Sequence, residues 1–365
     1  MRPFSKRSFL ALSASLLLAG AFSLAPVTAA DEAYKVSGPF VHENLAIYLI
    51  HDASAEGPVP LTLSEALDKG LVVVSETGNV NELQIENAGE EPVFVQSGDI
   101  VKGGRQDRVF TTSLLLKPHS GKMPIDAFCV EHGRWSGRAN EAADHFASSN
   151  EAMPSKVAKL AMKAPLESAG VPTESFSNRE QGASPDETGV RQQAVWSEVA
   201  NAQSKLSAGV GEAVASADSE TSLQLALENK KLEEAQTAYV TALEGVASEG
   251  DVIGYVFAIN GKLNSADIYP SNGLFKKMWK KLLSASATEA IGEKGNGGGQ
   301  PTPSSDEVLA FLSSAEAGKS EAKPVNDGTE LETRDSDKAV YFETRAAASG
   351  DSKEDKWVHK NYLAK

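Results

Sequence analysis

Apolar positions between residues 36 and 135 follow the two-residue period of strands or fall in short β-branched blocks. "NLAIYLI" (44–50) and "LVVVSET" (71–77) read as strands, and "ELQIENAGEEPVFVQSGD" (82–99) as two strands around an Asn87-Ala88-Gly89 turn. "RVFTTSLLL" (108–116) and "MPIDAFCV" (123–130) predict two more, joined by the polar "KPHSGK" (117–122). One short helix interrupts them at "LTLSEALDKG" (61–70), with Thr62 or Ser64 near its start and Gly70 as its stop. The pattern is that of an antiparallel sheet or sandwich.

From Glu141 to Val246 the period changes. Val195, Val199, Ala202, Leu206 and Val210 recur at helical spacing, as do Leu225, Leu232, Ala235, Tyr239, Leu243 and Val246. Two long amphipathic helices are expected, preceded by a Pro/Ser/Gly-rich surface loop over 165–189. Strand character returns in "DVIGYVFAINGKLNSADIY" (251–269), where Asn260-Gly261 is a strong hairpin signal. A helix over 271–291 follows, burying Leu274, Phe275, Met278, Trp279, Leu282 and Leu283. Its Lys276, Lys277, Lys280 and Lys281 lie opposite, as a partner surface or, more commonly, a solvated face. "GNGGGQPTPSS" reads as a linker, and the last residues as a short helix and a strand pair, "AVYFETRA" and "KWVHKNYL".

The expected fold is therefore α+β: an antiparallel β-rich core, sheet or sandwich, elaborated by a long helical pair and a C-terminal hairpin-helix. The boundaries predicted are a signal peptide over 1–30, a domain over 31–291, a linker over 292–305 and an extension over 306–365.

The N-terminus changes the picture of where this domain works. Arg2, Lys6 and Arg7 precede an apolar run from Phe9 to Ala25, and Thr28-Ala29-Ala30 supplies the small residues of a cleavage site. Export with cleavage near Ala29 or Ala30 is expected, to the periplasm or beyond. Lys6-Arg7 is only a loose variant of a twin-arginine signal, so ordinary secretion is preferred. No later apolar stretch is long enough to span a bilayer, so no stable membrane insertion is expected after cleavage. Cleavage removes three bases and no acid, and the formal charge falls from −15 to −18. Such acidity argues against nucleic acid as a partner. Cys129 is the one cysteine, so no internal disulfide forms, and its place in a strand-like run marks it as a small buried residue. No His/Cys cluster has zinc-ligand spacing; no metal and no cofactor is expected.

Residues 99–138 reverse the sign of the chain. Seven bases (Lys102, Arg105, Arg108, Lys117, Lys122, Arg134, Arg138) face four acids (Asp99, Asp107, Asp126, Glu131). Arginine forks suit phosphate or carboxylate, and Gly103-Gly104 lets backbone N–H groups approach a ligand. Candidate ligand-binding residues are Gly103, Gly104, Arg105, Gln106, Arg108, Arg134 and Trp135. Glu131 and His132 are candidate acid and base, although neighbours on a strand point to opposite faces. The spacing is not that of a P-loop, and no nucleophile elbow is present. The competing reading is structural: the arginines pair with Asp99, Asp107 and Glu131, and the glycines make a turn. If "DRVFTTSLLL" and "MPIDAFCVEHGRW" are antiparallel neighbours, Arg108 and Arg134 come close together, with Glu131 or Asp107 as the internal counter-ion and a bound anion as the external one.

"GPFVHENLAIYLI", "EPVFVQSGDIVKGGRQDRVFTTSLLL", "IDAFCVEHGRW" and "GDVIGYVFAINGKLNSADIYPSNGLFKKMWKKLL" together resemble the ARG-and-rhodanese-phosphatase-superfamily-associated protein domain family, from about Gly38 to Ile291. Gly104–Arg108 and Glu131–Trp135 carry its most specific elements. The family has no established activity. Its genomic association with ADP-ribosylglycohydrolases and phosphatases implies a link to ADP-ribose or phosphate-bearing ligands by association. Two functions are carried forward: a non-catalytic extracytoplasmic binding or assembly module, whose partner is a small anionic ligand or another protein, and a hydrolase acting on a phosphate- or ADP-ribose-bearing substrate.

Overall fold

A computed structural model describes residues 34–365 apart from 139–140, 142, 170–186, 296–299, 327 and 347–355. The expected signal peptide, most of the expected 165–189 loop and the centre of the expected linker lie outside the described residues.

In chain order the strands are β1 (Lys35–His42), β2 (Leu45–His51), β3 (Leu61–Thr62), β4 (Val72–Glu76), β5 (Glu82–Asn87), β6 (Val93–Val95), β7 (Asp99–Gly103), β8 (Arg108–Phe110), β9 (Leu114–Leu116), β10 (Gly121–Cys129) and β11 (Phe146–Ala152). After the central helices come β12 (Val252–Ile259), β13 (Lys262–Ile268), β14 (Lys319–Asn326), β15 (Thr329–Asp335), β16 (Ala339–Ala346) and β17 (Lys356–Ala364). The helices are α1 (Leu63–Asp68), α2 (Lys156–Lys163), α3 (Glu187–Val210), α4 (Leu223–Leu227), α5 (Lys230–Leu243), α6 (Asn272–Gly292) and α7 (Ser305–Glu316). The fold is α+β with an antiparallel β-rich core.

Eight strands form an antiparallel sheet in the order β1-β2-β12-β13-β17-β16-β15-β14. Every residue of β2 and β12 is buried, because the sheet is covered on both faces. Leu45, Ile47, Leu49, Tyr255 and Phe257 pack with α6 on one face; Ala46, Tyr48, Ile50, Val256 and Ala258 pack with α7 on the other. The β12–β13 turn is Asn260-Gly261, both at positive φ (53° and 76°), as a two-residue hairpin of matching twist requires. A second sheet runs β11-β7-β8-β10-β5-β4 and a third β3-β6-β9; together they enclose an apolar cluster that includes Leu61, Val74, Ile85, Val95, Phe110 and Leu116. Helix α1 opens with a capping box: Thr62 accepts from the Glu65 N–H and Glu65 accepts from the Thr62 N–H. The long helices α3 and α5 each lie against α6 more extensively than against each other.

Several expectations are corrected. Residues 108–116 are not one strand: β8 joins the six-stranded sheet and β9 the three-stranded one. The polar Thr111-Thr112-Ser113 step between them bonds sideways, with Ser97 Oγ donating to Thr111 O and Ser113 Oγ accepting from Ser97 N–H. Likewise β5 and β6 fall in different sheets, and the buried Asn87 side chain fixes the turn by donating to Glu91 O and Lys117 O. The C-terminal region is no extension with a strand pair. It supplies four strands, and β17 inserts between β13 and β16 in the interior of the large sheet. The missed strand β14, "KSEAKPVN", is an exposed edge whose charged residues and proline suppress any apolar alternation. Of the expected linker, Gln300 and Pro301 pack against Gly261, and Pro303 O accepts from the Tyr48 hydroxyl. Lys277 and Lys281 leave the expected free face to pair with Glu65 and Asp99. Among the described residues, no helix is long and apolar enough to cross a membrane.

Candidate functional site

The connection from β7 to β8 carries the Gly-Gly pair. Gly103 (φ 112°) and Gly104 (φ 56°) both take left-handed backbone. A Cβ on Gly104 would meet the Phe146 ring at 2.3 Å and the Glu76 carboxylate at 2.9 Å, so these glycines serve a tight internal turn. Asp107 clamps that turn by accepting from the Gly103 N–H at 3.0 Å. Strand β10 pairs with β8 in the register Cys129↔Arg108, and the Val130 N–H donates to Asp107 O. This alignment carries Glu131 to the turn, where it accepts from the Asp107 N–H at 3.2 Å.

A buried ion network grows from these two carboxylates. Arg134 donates to both oxygens of Glu131 (Nε–Oε1 and Nη2–Oε2, each 2.8 Å) and to the carbonyls of Gly103 and Gly104. Arg138 forks onto Asp107 (2.7 and 2.9 Å) and reaches Glu141 at 2.8 Å. Ser222 donates to Asp107 and Ser219 to Glu131. Burial raises the Glu131 carboxyl, but the bonds from Arg134 and Ser219 outweigh it and hold the group below the usual glutamate range. Burial dominates at Asp107 and pushes it up against the pull of Arg138. At Arg138 burial is outweighed by Glu141 and Asp107, which raise its already high pKa.

The network answers the question of which counter-ion the motif arginines use. Arg108 is fully buried; it donates to Gln106 O at 2.7 Å and lies 3.6 Å from Glu76, which also accepts from the Arg105 N–H. Arg134 instead pairs with Glu131, so the two arginines have different carboxylate partners and meet only in bonding carbonyls of the same 103–106 turn. Gln106 is buried, and Glu131 is buried beneath Arg134. His132 is exposed, its ring 4.5 Å from that of Trp196. Arg105 and Trp135 also lie at the surface: Trp135 is 51% exposed, with the Arg105 guanidinium 5.8 Å from its ring centroid. Cys129 is buried, and burial pushes its thiol up to about 11.

Glu76, Glu141, Ser219 and Ser222 complete the network and were not foreseen. Ser222 carried a weak local signal, since it also caps α4 by accepting from the Leu225 N–H. Nothing local marked the other three. Among the described residues, one group of three has metal-ligand atoms within 4.8 Å of one another: His51, Glu249 and Asp251. The buried His51 ring already has protein partners there, Asp251 at Nδ1 (2.9 Å) and Ser37 at Nε2 (2.7 Å).

The ARG and Rhodanese-Phosphatase-superfamily-associated Protein domain matches residues 33–363. The chain belongs to this family. The match extends beyond Ile291 nearly to the C-terminus, in keeping with the insertion of β17 into the main sheet. No curated protein and no solved structure matches the chain. The two motifs that carried the resemblance, Gly104–Arg108 and Glu131–Trp135, meet in this family member at one corner, where Glu131 accepts from the Asp107 N–H and Arg134 reaches the Gly104 carbonyl.

Proposed function

We propose that the protein is exported, is cleaved near Ala29 or Ala30, and works outside the cytoplasm as a non-catalytic binding module for a small anionic ligand. The observation that supports binding is the Arg105–Trp135 pair. Arg105 is the motif arginine with no acid partner among the described residues, and it stands beside an exposed indole. A guanidinium next to an open aromatic face suits an anion that carries a flat ring, the charge on the arginine and the ring on the tryptophan. The ion network beneath holds the turn, so the pair is presented on a rigid base. A phosphate-bearing ligand also agrees with the association recorded in the family name.

The alternative, a hydrolase for phosphate- or ADP-ribose-bearing substrates with Glu131 and His132 as acid and base, has less support. Glu131 is occupied by Arg134, Ser219 and a backbone N–H, while His132 stands exposed against Trp196.

Calorimetric titration with ADP-ribose, AMP and inorganic phosphate tests the binding reading. Arg105→Ala and Trp135→Ala should each weaken binding roughly tenfold or more at unchanged melting temperature, since both side chains are exposed. Wild-type protein that ignores all three ligands at millimolar concentration would overturn it. Mass spectrometry of the mature N-terminus tests export; intact Met1 would refute cleavage.

A further inference from the structure

Two adjoining cavities, of about 310 and 540 Å³, share Lys163, Glu187, Arg191 and Lys323 in their walls. They involve none of the motif residues described above. Lys163 is the last residue of α2, and its amine donates to Asn361 Oδ1 at 2.6 Å while lying 4.2 Å from the centroid of the Phe342 ring. Its acceptor is thus a neutral amide. That amide cannot turn away, because Asn361 Nδ2 donates to Ala266 O (3.1 Å) and Asp267 Oδ1 (2.8 Å). Asp267 lies one step further in, shared with His359 Nε2 at 3.1 Å, and His359 Nδ1 meets Ser113 Oγ at 2.9 Å. The charges that act on the amine are Asp267, set behind an amide, and Lys159, which opposes protonation.

An amine that lies over an aromatic ring and donates to a neutral acceptor has the surroundings of a reactive lysine rather than of an ion-paired one. Burial, only partly offset by Asp267, pushes Lys163 down to about 7, so a large fraction is unprotonated near neutral pH, against roughly a thousandth for an ordinary lysine. The first cavity also presents the Thr111 and Thr112 side chains, and the exposed Lys323 stands on its rim as a cation. Arg191 is tied to Glu187 and contributes less free charge.

We propose that Lys163 is a nucleophilic amine that captures small carbonyl compounds carrying a carboxylate or phosphate, as a reversible imine. The Nζ lone pair attacks the carbonyl carbon and a C–N bond forms. Both amine protons pass to the carbonyl oxygen, which leaves as water, and a C=N bond remains. No oxidant or reductant is consumed. Lys323 and the threonine hydroxyls hold the anionic group, and Asn361 Oδ1 accepts from the imine when it is protonated.

The test is reductive trapping on the full chain at pH 7.5. Glyoxylate and, separately, glyceraldehyde 3-phosphate are added with cyanoborohydride, and modified lysines are located by peptide mass spectrometry. The exposed Lys276 and Lys280 of α6 serve as internal references. Lys163 should be trapped at least ten times faster than either reference by at least one of the two probes. Lys323→Ala should slow trapping of that probe severalfold while leaving the uncharged propionaldehyde unaffected. Lys163 labelling no faster than the references with both probes would overturn the proposal. So would a Lys323→Ala effect of equal size on propionaldehyde, since the anion would then play no part.

Discussion

Replacing Glu131 by Gln separates a structural corner from a chemical one. The carboxylate is buried and receives four donors: Arg134 Nε and Nη2, the Ser219 hydroxyl and the Asp107 N–H. A glutamine of the same shape keeps one oxygen and turns an NH₂ group toward a guanidinium N–H whichever way it flips. Two charge-assisted bonds are lost, at about 1.5–3 kcal/mol each. Arg134 keeps a weaker counter-ion in Asp107, 3.8 Å away, which places the loss at the lower end of the roughly 3–5 kcal/mol for breaking a buried pair. We expect about 3 kcal/mol, seen as a lower urea midpoint at unchanged m-value and a melting temperature down by roughly 3–6 °C. Adding Arg134→Met removes the orphaned charge, so the double variant should lose less than the sum of the singles. Arg105→Ala, at the surface of the same corner, should stay within about 0.5 kcal/mol of wild type. A Glu131→Gln loss below about 1 kcal/mol would refute the account of a load carried by a desolvated carboxylate.

Acid should expose the same group. Glu131 and Glu332 have folded pKa values held below the glutamate reference, by Arg134 and Ser219 in one case and Arg334 and Ser320 in the other, against burial. Their stabilisation is therefore present above about pH 4.3 and is lost as the pH falls through the folded values; urea midpoints from pH 6 to 3 should drop less steeply in Glu131→Gln than in wild type. Gly209→Ala should destabilise by roughly 2 kcal/mol or more in the same assay, because its Cβ would sit 2.2 Å from the Ile291 carbonyl oxygen where α3 crosses α6; a neutral effect would mean that the helices separate easily. Truncation after Ala346 removes β17 from between β13 and β16 and should abolish soluble, cooperatively folded protein; a truncated chain that melts like the full one would show β17 to be dispensable.

Local sequence determined the elements whose period and punctuation are strong. The apolar runs of β2 and β12, the Asn260-Gly261 turn between β12 and β13, the start of α1 at Thr62 or Ser64 and the apolar face of α6 were all legible, because each depends on residues within a few positions of one another. The neighbourhood of β8 and β10 was legible, although β9 intervenes between them in another sheet, and their pairing brought Glu131 to Asp107. Tertiary structure decided which sheet each strand joined. Thr111–Ser113 reads as continuous strand, yet the Thr111 carbonyl and the Ser113 hydroxyl bond to partners more than ten residues away and break it. Edge strand β14 stayed hidden because a solvated edge needs no apolar pattern. Tertiary structure also decided what the motif arginines do. Their number and spacing fit a bound anion and an internal network equally well, and the choice rests on Glu76, Ser219 and Ser222, which arrive from elements roughly 30 to 115 residues distant. Charge is written in the sequence; the partner that neutralises it is set by packing.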